Sequence, residues 1–371
     1  MKANKGEWSE PYVALRVLGE GKLNIADDDG KALPGQWLNV LDVIRHETKE
    51  RIVKYNYSAN SIVDINVDGE SIVSVPAAKF FEYAEKLKKE ILKASGNSFS
   101  ISEDIKDFFE RIELKHIKAK SIDKSDIFIS TEDPRTSMVR EHIGFSIKSK
   151  FGKDPTLFNT GASSAAIYKL TNVNDELMDT VNNLFDDQGH TAIAERCKTL
   201  IDNGCGFKFI GFPVAVRSGC KTFEENLDML NPRLKPSIDF ILRTHFLTNS
   251  TARDVEDMVN ILVEHNPCGL TRADEKYPYM MKSFLYASYC GLTAGTLWDG
   301  KSQVNGGFIA VDEVGNVTAN LALESEGFKS YLYKHCYFEW PSTSEKHGNY
   351  ARVYKENDEY FFRLNFQIRY R

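Results

Sequence analysis

The chain has 371 residues, of which 42% are hydrophobic, 27% charged and 12% aromatic, and its net charge is −6. That composition excludes a disordered or coiled-coil chain and supplies enough apolar surface for one large core or two modest ones. The negative charge argues against a protein that coats nucleic acid nonspecifically, but not against one with a locally positive cleft.

No apolar run of the roughly 18 residues that a spanning helix needs occurs in the sequence, so no membrane contact is expected. The opening MKANKGEWSE is polar and lacks the apolar segment of a secretory signal. Six cysteines, Cys197, Cys205, Cys220, Cys268, Cys290 and Cys336, stand singly with no C-x-x-C pair. Their spacing argues against a zinc ribbon or disulfide framework and for a reducing, cytoplasmic setting.

Residues 9–18 (SEPYVALRVL) predict a first helix, with Ser9 as its cap and Pro11 in its first turn. SIVDINV (61–67) and SIVSV (71–75) predict a hairpin turning at Asp68-Gly69. Apolar residues at three and four spacing predict a helix over 77–94, and a shorter one follows over EDIKDFFERIEL. DIFIS (126–130) predicts a strand, TEDPRTSMVRE a polar turn region, and the next strand ends in GFSIKS, Gly144 to Ser149. From about 174 to 296 the periodicity is helical, punctuated by Asn, Gly and Pro. Two further hairpins are expected around Gly315-Asn316 and Asn357-Asp358. The fold class is therefore α/β in the α+β sense, a mixed central sheet flanked by helices, with a helical insertion and C-terminal β-hairpins. Boundaries fall at 1–173, 174–300 and 301–371.

Gly144 to Lys153 ends in Gly-Lys, but the spacing of a phosphate loop is wrong and Asp154 stands where a hydroxyl ligand to magnesium is required. No G-x-S-x-G, H-E-x-x-H or EF-hand loop occurs. The strand pair 126–149 is more informative. With a turn centred near 136–137, Asp126 faces Ser146 or Lys148, and the even parity of all three puts them on one face if no bulge intervenes. Glu141 has the opposite parity and lies five residues from Ser146, about 17 Å along the strand. One reading of the acid and the lysine is a surface cross-strand ion pair. The other is a divalent-metal nuclease, in which the carboxylate holds Mg²⁺ against a scissile phosphate and the lysine steadies the attacking hydroxide or the transition state.

Five segments carry a resemblance. N-K-G-E-W-S-E (Asn4 to Glu10), K-S-D-I (Lys124 to Ile127), G-F-S-I-K-S, T-L-F-N (Thr156 to Asn159) and L-N-F-Q-I-R-Y (Leu364 to Tyr370) resemble, in this order, the HpaII-type type II restriction endonucleases. The resemblance spans essentially the whole chain. It implies a PD-(D/E)XK-like core, Mg²⁺ dependence and hydrolysis of double-stranded DNA at a short palindromic site, CCGG in the family's namesake. It further implies a DNA methyltransferase as genetic partner, and a palindrome invites a homodimer. The alternative is a sequence-specific DNA-binding protein on a nuclease-like fold that does not cut.

Carried over by residue, the resemblance makes Asp126 the metal-binding acid and Lys148 the catalytic lysine. Ser146 stands where the family pattern has Asp or Glu, and a hydroxyl is a far poorer metal ligand. The missing carboxylate is expected from Glu7 or Glu10, since MutH-like nucleases bring a glutamate from an early helix after a similar Lys-Gly. Both acids also suit an ordinary helix N-terminus. DNA contacts are expected from Ser149, Lys150, Asn159, Thr160, Ser163 and Ser164 after the catalytic strand. Ser342, His347, Gln367 and Arg369 are expected to contribute from the C-terminal segments. Turn capping for the first set, and polar alternation on a solvated sheet for the last strand, are the competing accounts.

Overall fold

The computed structural model describes all residues except 28, 49, 97, 119–124, 153, 185–189, 249, 302–304, 322–324 and 341–349. The chain forms two compact units, Met1–Pro155 with Ser302–Tyr331, and Thr156–Lys301 with Leu332–Arg371. The helical stretch expected over 174–300 lies wholly within the second unit, together with strands on either side of it in sequence.

The first unit opens with helix α1, Lys5–Glu20. It starts four residues earlier than the sequence reading placed it. Asn4 is its cap: the Asn4 side chain accepts from Glu7 N, and the Glu7 carboxylate accepts from Asn4 N, both at 2.9 Å. Ser9 is therefore no cap; its hydroxyl donates back to Lys5 O. Pro11 falls inside the helix rather than in its first turn. Gly21 ends the helix in the left-handed region, at φ 64°. Strands β1 (Lys22–Ala26), β2 (Ala32–His46), β3 (Ile52–Ser58), β4 (Ile62–Val67) and β5 (Glu70–Pro76) follow, then helices α2 (Ala77–Lys93) and α3 (Glu103–Arg111). Strands β6 (Ile127–Asp133) and β7 (Met138–Ser149) form the hairpin that the sequence singled out.

The chain then runs through β8 (Thr156–Phe158), β9 (Ala166–Thr171), α4 (Asp175–Asn183), α5 (His190–Asp202) and β10 (Gly206–Gly211). Helices α6 (Thr222–Leu230), α7 (Leu234–Leu247), α8 (Val255–His265) and α9 (Ala273–Cys290) complete the helical stretch. Strands β11 (Gly307–Val311) and β12 (Val317–Leu321) and helix α10 (Ser325–His335) come next. The chain ends in β13 (Cys336–Glu339), β14 (Tyr354–Glu356), β15 (Glu359–Leu364) and β16 (Gln367–Tyr370). The hairpins expected at Asp68-Gly69, Gly315-Asn316 and Asn357-Asp358 are all present.

In the first unit the strand order is β1-β12-β11-β7-β6-β2-β3-β4-β5, and an additional β1–β2 pairing closes six of these strands into a ring. The sheet is mixed: β1–β12 and β11–β7 are parallel and the other pairs antiparallel. Its core joins Trp8, Tyr12 and Leu15 of α1 and Phe80 and Leu87 of α2 to Ile127, Ile129 and Phe145, all buried. The second unit holds a four-stranded sheet, β10-β9-β15-β14, and a three-stranded one, β13-β16-β8. Phe158 stacks on Phe223 and Phe366 in its core, with centroids 5.4 Å apart in both cases. All six cysteines are free thiols. Among the described residues no helix is long and apolar enough to cross a membrane.

Candidate active site

Strands β6 and β7 pair with Ile127 opposite Phe145 and Ile129 opposite Ile143. The register then shifts before Thr131–Arg140, an extra residue on β7 marked by His142 at φ 54°. Because this bulge lies on the turn side, the parity argument holds at the other end. Phe145 is wholly buried and Ile147 packs against the same core, while Ser146 and Lys148 project to the opposite face. Glu141 is exposed and lies at the bulge, remote from this face.

Asp126 sits one residue before β6, its amide bonded to Phe145 O at 2.8 Å. Its Oδ2 accepts from Ile147 N at 2.7 Å and from the Ser146 hydroxyl at 3.2 Å. Ser146, the departure from the family pattern, thus serves as a donor that orients the acid. No further hydrogen bond to the Asp126 carboxylate occurs among the described residues. Gly144 makes this approach possible: a Cβ there would lie 2.2 Å from Ser125 Oγ. Gly144 N is held in turn by the Asn305 side chain at 2.8 Å.

The Lys148 side chain makes no hydrogen bond or ion pair among the described residues. Burial pushes its ammonium pKa below the ordinary lysine value, and the Asp126 charge offsets part of that shift. Its strand is supported by β11, with Phe308 opposite Ser146 and Ala310 opposite Lys148.

Glu7 and Glu10, both partly buried, come from α1. Glu7 is engaged twice, in the capping box and in an ion pair with Lys118 Nζ at 2.9 Å. These two bonds, the Asn4 amide first, draw its pKa down. Lys118 escaped the sequence reading, which had no local signal for a partner more than a hundred residues away. Its pKa is raised first by the bond to Glu7, and the charges of Glu7, Glu10 and Asp126 add to the rise against a desolvation effect. The two acids of α1 and Asp126, just before β6, therefore act on one ammonium. Yet no group of three or more His, Cys, Asp or Glu side chains that could hold a metal occurs among the described residues. The donor set fits a magnesium ion in its usual protein form, one or two carboxylates with water and substrate phosphate completing the shell.

The expected DNA contacts divide. Ser149 is buried and its hydroxyl accepts from Phe151 N at 3.2 Å, a turn-capping bond. Lys150 is half-buried, and its side chain makes no ion pair among the described residues. Asn159 is exposed, Ser163 is half-buried, and the Thr160 hydroxyl is buried without a hydrogen-bond partner. Ser164 is wholly buried, its hydroxyl engaged with Gly161 and Asn365, so it braces the turn and presents nothing outward. Asn365 is likewise buried between β15 and β16 and does not share a face with Gln367 and Arg369. Those two meet at Glu339 of β13, which belongs to no recognisable motif. Lys124, Lys153, Ser342 and His347 lie outside the described residues.

Comparison with known proteins extends this geometry. No solved structure matches the chain. The chain is 31% identical to the type II restriction enzyme HpaII of Haemophilus parainfluenzae over 372 residues, which cover 99% of this chain and 98% of that protein. The family model for the HpaII restriction endonuclease matches residues 4–370, from the cap of α1 to the last strand, and the chain belongs to that family of type II restriction enzymes.

Proposed function

We propose that the chain hydrolyses phosphodiester bonds of double-stranded DNA at a short palindromic site, with Mg²⁺, on a PD-(D/E)XK-like core. The observation that carries this reading is the Asp126–Ser146–Ile147 cluster, with a desolvated Lys148 on the same face. Family membership supports it.

Asp126 would present Oδ1 to magnesium, with Glu10 as the second carboxylate, because the charges of Glu10 and Asp126 act on the same Lys118 ammonium while Glu7 closes the helix cap. When bound, the ion supplies Lewis-acid charge at the phosphoryl oxygens and lowers the pKa of water. The Ser146 hydroxyl and Ile147 amide hold Asp126 in one orientation, which keeps its outward oxygen preorganised. Lys148 sets a positive charge, in a low-dielectric site, against the charge that builds on the phosphate as water attacks.

The site is proposed as CCGG, following the resemblance, with a methyltransferase protecting host DNA in the cytoplasm and a homodimer matching the palindrome. Lys150, Asn159, Thr160, Ser163, Gln367 and Arg369 remain candidates for DNA contact. The test is incubation of purified protein with plasmid DNA and Mg²⁺, followed by sequencing of the fragment ends. Discrete fragments whose ends share one palindrome are expected. Specific binding without cleavage at any Mg²⁺ concentration would instead establish the non-cutting DNA-binding alternative.

A further inference from the structure

We propose that Glu339 and Arg369, tied together with Gln367 through one carboxylate oxygen, read a G·C base pair as one unit. The inference rests on the reading of the chain as a site-specific nuclease.

In β13 and β16 the side chains alternate cleanly. Cys336, Phe338, Ile368 and Tyr370 are buried, while Glu339, Gln367 and Arg369 stand on the half-exposed face. Glu339 lies directly opposite Gln367, and Arg369 is opposite Tyr337, so the carboxylate reaches one residue straight across and the other diagonally. Both donors, Gln367 Nε2 and Arg369 Nε, go to the same oxygen, Oε2. A carboxylate oxygen has two acceptor sites, so Oε2 is filled. Oε1 has no partner among the described residues.

An ordinary sheet-surface ion pair needs none of this. It is worth a few tenths of a kcal/mol and leaves both side chains to roam. Here the arginine is fixed through Nε, so its guanidinium plane is set, and the glutamate keeps one acceptor oxygen beside it. Arginine is the commonest partner of guanine O6 and N7, and a carboxylate accepts from the N4 amino group of cytosine. The two side chains thus present the donor and acceptor complementary to the two halves of one G·C pair. An acid at a DNA-facing surface also repels phosphate, so it weakens nonspecific binding while it sharpens selection.

The test measures affinity of the full chain for a short duplex carrying the site found by fragment-end sequencing. The same duplex with each G·C pair exchanged for A·T, and an unrelated duplex, serve as comparisons, in Ca²⁺ to prevent cutting. Glu339→Gln should lower the cognate-to-exchanged ratio at one base-pair position by about tenfold or more. Unrelated DNA should bind as well as before or more tightly, and the salt slope should stay the same, because no phosphate contact is lost. Arg369→Lys should lower the ratio at the same position. The double variant should lose no more than the worse single, as expected of residues that act as one unit. If the wild type discriminates and Glu339→Gln keeps its ratio within twofold, Glu339 is a solvated ion-pair partner and the inference fails alone. A wild type that neither cuts nor discriminates would overturn the nuclease reading along with it.

Discussion

Replacing Asp126 by alanine and by asparagine separates the two jobs of its carboxylate. Both changes remove the negative charge, and with it the proposed metal ligand and the counter-charge felt by Lys148. Only alanine also removes the acceptor for Ile147 N at 2.7 Å and for the Ser146 hydroxyl at 3.2 Å. A Lewis-acid contribution of several kcal/mol, at 1.36 kcal/mol per tenfold in rate, makes the loss of cleavage about 10³-fold or more in both variants. Two neutral hydrogen bonds of about 0.5–1.5 kcal/mol each separate them in stability. For a domain of 150–250 residues that is about 2–12 °C, with Asp126→Ala melting below Asp126→Asn. Single-turnover cleavage of plasmid DNA in saturating Mg²⁺ and thermal melting of the same preparations read the two effects. An asparagine variant that cuts within tenfold of wild type would refute the metal-ligand role. Identical melting of the two variants would refute the account of Asp126 as a hydrogen-bonded anchor for β7.

Lys148→Met should abolish cleavage and raise the melting temperature at pH 7, because a desolvated ammonium is no longer present. The folded-state pKa of Lys148 is lowered, so the penalty is full below that pKa and fades as pH rises toward the unfolded value of about 10.4. The gain over wild type should therefore shrink between pH 7 and 10, and a constant gain would place its cause elsewhere. Glu10→Gln should raise the Mg²⁺ concentration needed for half-maximal cleavage by about tenfold or more, whereas Glu7→Gln should chiefly lower the melting temperature through the lost capping bond. The opposite order in a metal titration would make Glu7 the second ligand. Gly144→Ala should cost about 1–3 kcal/mol of stability, since its Cβ would lie 2.2 Å from Ser125 Oγ. Cleavage should fall by more than that loss explains, because Ser125 precedes Asp126; unchanged single-turnover rates would show that Ser125 yields without moving its neighbour.

What was legible in the sequence was what repeats locally. Alternation along GFSIKS placed Ser146 and Lys148 on one face with Asp126, and the bulge near His142 spared that relation only because it lies toward the turn. The start of α1 was misread because Ser9 and Pro11 offered a plausible local beginning. Asn4 and Glu7, three apart, carried the stronger reciprocal signal. Contacts between distant segments left no such trace. Nothing periodic links Gly144 to Asn305, Glu7 to Lys118, or Arg369 to Glu339. Ser164 and Asn365 show the limit in another way. Ser164 in turn-rich sequence and Asn365 in an alternating C-terminal strand suggest a surface, yet they satisfy one another and Gly161 in the interior.

The parallel pairing of β7 with β11 also bears on how the enzyme is made. Gly144 meets Asn305 across a separation of 161 residues, and β11 and β12 lie between β7 and β1 in the sheet. At about 5–20 residues per second, a ribosome takes roughly 8–32 s to travel that distance. During that interval the strand bearing Lys148 has an open edge and lacks the neighbour against which it is registered. A nascent or prematurely ended chain therefore holds Asp126 and Lys148 without the sheet that aligns them, and the complete sheet forms only when most of the polypeptide has been synthesised.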